Sequence, residues 1–234
     1  MGFDKMTASV TFVTATYNKG IILADAGFSV LGQSRPDWEW WIVLNGPDRA
    51  TEAVAARFAD MDKRIKVFDF PTTVQTRREK YLPAVIANEY YPKVTTPYFT
   101  WLSDDDILDP LFIQVLAGAL EANPYWDVVY GHLEFMRCWD ERSIVADYRW
   151  ICAHSPIGMG TGISPDCRID SGQILQTKRL WDMLGEYRIP EEWEYACHVD
   201  GIYMAHLAQY ATFYPVDAKV LSHVKRPLST WRKR

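Results

Sequence analysis

The 234-residue sequence predicts an α/β fold: a mostly parallel central sheet with flanking helices and a smaller, less regular second region. Three observations lead there. Short β-branched segments alternate with segments of helical period through the first half, the order that parallel strands joined by right-handed crossovers require. Polar residues cluster directly after the segments that read as strands one, two and four, and ligands of open α/β sheets bind beyond the carboxyl ends of the strands. Finally, 48% hydrophobic and only 24% charged residues suffice to bury a large core.

The elements follow in order. SVTFVTAT (9–16) reads as a buried strand, and KGIILADAGFSVLGQ (19–33) as a helix with Ile22, Ala26 and Val30 on one face. EWWIVLN (39–45) is a second strand, RATEAVAARFADM (49–61) a second helix and RIKVFDF (64–70) a third strand. Residues 76–91 read as a helix that Pro83 starts or kinks. PYFTWLS (97–103) is a fourth strand, followed by a helix over 109–122 with Asp109 as its cap and Pro110 at its first position. Beyond it, 126–140 reads as one or two longer strands, 153–172 as a substantial binding loop or lid, 177–185 and 196–210 as helices, and 212–224 as a strand.

Composition narrows the function classes. A net charge of −5 argues against a non-specific nucleic-acid binder. Residues 219–234 nevertheless hold six Lys or Arg and no acid, a basic tail suited to phosphates or to peripheral contact with an anionic membrane. The four cysteines lack paired zinc or disulfide spacing, which fits a reducing cytoplasm. No apolar run reaches the roughly 18–20 residues of a membrane span, and no signal-peptide pattern opens the chain.

The chemistry concentrates in YFTWLSDDDILDP (98–110), where three adjacent carboxylates follow an apolar strand. Such a cluster calls for a cation, and Mn²⁺ or Mg²⁺ typically takes one or two carboxylates and leaves its other sites to water and substrate phosphates. In an extended chain Asp104 and Asp106 point the same way, although a turn at the strand end would undo that.

TATYNKG, then LNGPD at the end of a strand, then PYFTWLSDDDILDP resemble the family 2 glycosyltransferases, whose fold is called GT-A; the resemblance covers about 8–115. It implies a metal-dependent, inverting transfer of a sugar from a nucleotide diphosphate donor to an acceptor hydroxyl, most often on a glycan. It implies that Thr14, Ala15, Thr16 and Tyr17 lie against the base and ribose, that Asn45 to Asp48 contact the base, and that Arg77, Arg78 or Lys80 supply positive charge. Asn-Gly-Pro replaces the paired acids that family members often carry after strand two, which leaves the base undetermined. Asp104 or Asp105 would touch ribose or sugar, and Asp106 would bind the metal, with His223 as a further ligand. The general base falls to Asp200, with Glu192 and Glu194 as rivals, and Asp170 and Gln173 lie on the acceptor side. Residues 1–125 then form the nucleotide-sugar half and 126–234 the acceptor half of one domain.

Two other classes compete. A sugar-nucleotide nucleotidyltransferase would need a Gly-rich basic loop after strand one, where TATYNKG has one Gly and one Lys. A non-catalytic nucleotide- or sugar-binding module would have no use for an intact acid triplet.

Overall fold

A computed structural model describes residues 7–73, 82–138, 144–166, 168–187 and 199–225. Among them the strands join one ten-stranded sheet. Strands β1 (Val10–Thr16), β2 (Trp38–Leu44), β3 (Ile65–Asp69) and β4 (Tyr98–Trp101) pair in parallel in the order β3-β2-β1-β4. Helices α1 (Ile22–Leu31), α2 (Arg49–Met61) and α3 (Leu82–Tyr90) connect them. The second half extends the same sheet. β9 (Ile174–Thr177) lies antiparallel between β4 and β6 (Val128–Cys138), and β10 (Thr212–Lys225) runs parallel to β6. The short strands β5 (Ile107–Leu108) and β8 (Ile157–Gly158) pair with β10, and β7 (Ile144–Ile151) with β6.

The first-half elements lie where periodicity places them, α2 to the residue. Pro83 sits at the second position of α3, where its missing N–H costs nothing. The helix expected from Asp109 starts later, as α4 (Phe112–Ala122). Asp109 does not cap it: its carboxylate accepts the Leu111 N–H at 3.0 Å, closing a turn that uses up Pro110 and Leu111 before helical geometry begins. Helix α5 (Lys178–Leu184) stops at Gly185, which turns the chain at φ 93°, and α6 (Val199–Leu207) falls within the predicted 196–210. Residues 219–225 belong to β10, with Lys219 paired to Glu134 at 2.7 Å, and 226–234 lie outside the described residues. No helix among the described residues is long and apolar enough to cross a membrane.

Strand alternation divides the core into two layers. Val10, Phe12, Trp40 and Ile42 face α1, α2 and α4, whereas Val13, Trp41, Val43 and Phe99 face α3, α5 and α6. Much of the aromatic load is structural: Tyr187 stacks on Tyr203 with centroids 3.8 Å apart, and Trp181 packs edge-on against Tyr91. α1 and α2 meet at Gly27, where a Cβ would lie 2.2 Å from the Phe58 ring. That ring is held between Phe28 and Trp40. Gly27→Ala is therefore expected to destabilise the fold by about 1–3 kcal/mol through overpacking. Chemical denaturation checks this, and the loss should shrink when Phe58→Leu is added.

Candidate active site

Parallel pairing brings the carboxyl ends of β1, β2 and β4 to one rim, with Thr16 opposite Leu44 and Val13 opposite Trp101. Antiparallel β9 begins at that same rim, where the Thr100 hydroxyl donates to the Ile174 carbonyl at 2.7 Å. The turn preceding β9, with Asp170 and Ser171, therefore arrives beside the acid triplet. β5 follows the triplet directly and pairs with β10 at Ile107–Ser222, which sets His223 against Asp106.

The triplet is divided between two basic partners. Asp104 and Asp105 occupy a tight turn, which overrides the alternation of an extended strand, and both face Lys19 from the loop after β1. Lys19 Nζ lies 2.6 Å from Asp105 Oδ2 and 3.3 Å from Asp104 Oδ1. Asp106 turns away to His223, whose Nδ1 is 2.9 Å from Asp106 Oδ1. This is an ion contact without hydrogen-bond alignment, since neither Asp106 oxygen nor His223 Nδ1 has a hydrogen-bond partner. Burial lifts the Asp106 carboxyl to about 6 against the pull of His223. Burial likewise lifts Asp104 to about 6 against the pull of Lys19. For His223 burial opposes the charge, but Asp106 outweighs it and raises the imidazole to about 9.

Asp200 stands in the first turn of α6 with its Oδ2 3.5 Å from the Ser171 hydroxyl, which donates toward it. Burial first, and the neighbouring Asp170 second, push its carboxyl up to about 7, while Ser171 opposes the shift. Asp170 accepts the Gly172 N–H at 2.8 Å, and its own N–H donates to Gln173 Oε1 at 3.1 Å. Gln173 is fully buried and its amide nitrogen donates to the Gly131 carbonyl, so it braces the Asp170 turn from within. The rival bases Glu192 and Glu194 lie outside the described residues.

On the expected nucleotide side, two side chains also serve the fold. Thr14 is fully buried and its hydroxyl accepts the Trp40 Nε1–H at 2.9 Å. Asp48 caps α2 by accepting the Thr51 N–H at 2.9 Å, which orients its carboxylate into the helix end. Ala15, Thr16, Tyr17 and Asn45 do lie at or near the strand ends on the rim, with the Asn45 N–H donating to the Thr16 carbonyl at 3.0 Å. Arg77, Arg78 and Lys80 lie outside the described residues. Ser171 and Thr51 escaped the sequence reading, and Lys19 entered it only as the one Lys of TATYNKG. The signal for Lys19 was its place between Asn18 and Gly20, residue types that accept the positive φ found at both, in a loop at the ligand rim.

A divalent cation fits the Asp106–His223 pair. Asp106 is buried with neither oxygen in an aligned hydrogen bond, its one close partner being the His223 imidazole at 2.9 Å, so this carboxylate and imidazole are the groups that would hold the ion. No three His, Cys, Asp or Glu side chains among the described residues form a closed cage. The remaining positions would therefore fall to substrate phosphate and water, as hard cations in phosphate sites favour.

Comparison with known proteins agrees with this architecture. The profile of the family described as Glycosyl transferase family 2 matches residues 11–157. Protein CgeD of Bacillus subtilis (strain 168) is 20% identical over 226 residues, 95% of this chain and 51% of its own. The structure of S. aureus TarS 1-349 superposes with a TM-score of 0.67 at 13% identity, covering 92% of this chain and 60% of that one. TarS 1-349 in complex with UDP-GlcNAc gives a TM-score of 0.68 at 13% identity, over 93% and 59% of the two chains. The chain thus spans about half the length of the curated relative it matches.

Proposed function

The chain belongs to glycosyl transferase family 2, and from that premise we propose that it moves a sugar from a nucleoside diphosphate donor to an acceptor hydroxyl, with inversion and with Mn²⁺ or Mg²⁺ held by Asp106 and His223. The buried carboxylate of Asp106, without an aligned hydrogen bond and set against His223 on the ligand rim, carries this reading. A nucleotidyltransferase would hold a triphosphate with a basic glycine-rich loop, whereas the loop after β1 carries one Gly and one Lys.

Asp200 accepts the proton of the acceptor hydroxyl, for which a pKa of about 7 suits a general base. The acceptor oxygen then bonds to the anomeric carbon as the bond to the donor diphosphate breaks, and the nucleoside diphosphate leaves from the opposite face. A bound cation supplies charge stabilisation for that leaving group. Asp170 faces the acceptor beside Asp200, and Ser171 holds the base in line. Residues 1–125 serve the donor and 126–234 the acceptor, with a glycan hydroxyl as the acceptor class. The TarS complexes with UDP-GlcNAc and UDP make uridine donors the first to test.

Donor hydrolysis measured across UDP-, GDP- and dTDP-sugars is expected to require Mn²⁺ or Mg²⁺ and to stop with chelator. Turnover unaffected by chelator would remove the metal from the mechanism. No turnover with any donor would favour a binding module.

A further inference from the structure

Lys19 has no role in the transfer chemistry above, yet the fold fixes it with care. Asn18 at φ 54° and Gly20 at φ 42° turn the loop after β1 on both sides of it. The backbone N–H groups of Lys19 and Gly20 both donate to the Thr51 hydroxyl oxygen at 2.9 Å, and that hydroxyl in turn donates to Asp48. The Lys19 side chain is 15% exposed and is the basic group, among the described residues, within ion-pair distance of Asp104 and Asp105. A clamp built from two loops thus delivers one ammonium to two of the three acids.

We propose that Lys19 is the resident counter-ion of the acid triplet, and that it holds down the affinity of the site for a divalent cation until a nucleoside diphosphate is bound. The ammonium neutralises carboxylates adjoining Asp106 in the chain, whose charge would otherwise help attract a dication, and its own positive charge opposes a second cation in the same cluster. A diphosphate brings negative charge that satisfies both cations at once, so ion and donor bind together. Lys19 is a positioning residue in this scheme and touches no reacting atom. The inference rests on the metal-dependent reading of the site.

Mn²⁺ titration of the full chain, followed by the electron paramagnetic resonance signal of free Mn²⁺ with and without UDP, tests it. The wild type is expected to bind Mn²⁺ weakly alone and about tenfold or more tightly with UDP. Lys19→Met should bind Mn²⁺ about tenfold more tightly without UDP and lose most of the UDP enhancement, while Lys19→Arg should follow the wild type. A merely structural lysine would lower thermal stability and leave Mn²⁺ affinity unmoved. If Lys19→Met does not fold, Lys19→Gln, which keeps a hydrogen bond but no charge, takes its place. A neutral variant whose Mn²⁺ affinity without UDP equals that of the wild type overturns the proposal alone. A wild type that takes up no Mn²⁺ even with UDP overturns the metal reading itself, and this inference with it.

Discussion

Replacing Asp106 by asparagine is expected to lower metal-dependent sugar transfer on the order of a thousandfold while leaving the fold intact. The carboxylate is 1% exposed and neither of its oxygens is in an aligned hydrogen bond, so the isosteric substitution keeps the packing and removes one buried charge together with its ion contact to His223. Its burial-raised pKa of about 6 has the same meaning: the folded protein holds the charged form at a cost, which a bound cation would offset. The measurements are the transfer rate over a range of Mn²⁺ concentrations and the Tm. A variant that loses transfer but keeps its Tm fits a ligand. One that keeps transfer at wild-type Mn²⁺ levels removes Asp106 from the metal site.

Asp200→Asn is expected to retain UDP binding and to lose transfer by about 10²–10⁴-fold, the usual contribution of a general base. The wild-type pH profile carries the sign. Asp200 must be deprotonated to take a proton, and burial beside Asp170 raises its pKa to about 7. The rate should therefore fall as pH drops through that value and level off above it, while the residual rate of the variant should lack that step. Wild-type transfer in the variant would return the role to Glu192 or Glu194.

The parallel half of the sheet was legible because each of its elements carries its own period. The β-branched run of β1 and the helical stripe of α2 announce themselves within a dozen residues. The antiparallel half was less so. β9 has four residues and β5 two, too few for periodicity to separate a strand from a loop, and both are strands because neighbours supply their hydrogen bonds. Those two short strands matter most for the site, since they bring Asp170 and His223 to the acids.

By itself the sequence determined the sheet's first four strands, the rim where polar residues gather and the place of the acid triplet on that rim, since propensity, periodicity and motif order are local properties of the chain. The partners of each acid were settled only by tertiary structure. The turn at 104–105 sends two carboxylates to Lys19, and the pairing of β5 with β10 gives the third to His223. It also gives Thr14, Asp48 and Gln173 hydrogen bonds within the fold, to Trp40, the N-terminus of α2 and the Gly131 carbonyl. The physical reason is common to all of these cases: a polar side chain serves a ligand or the fold according to which buried groups lie within about 3 Å of it, and contacts between residues far apart in the chain decide that.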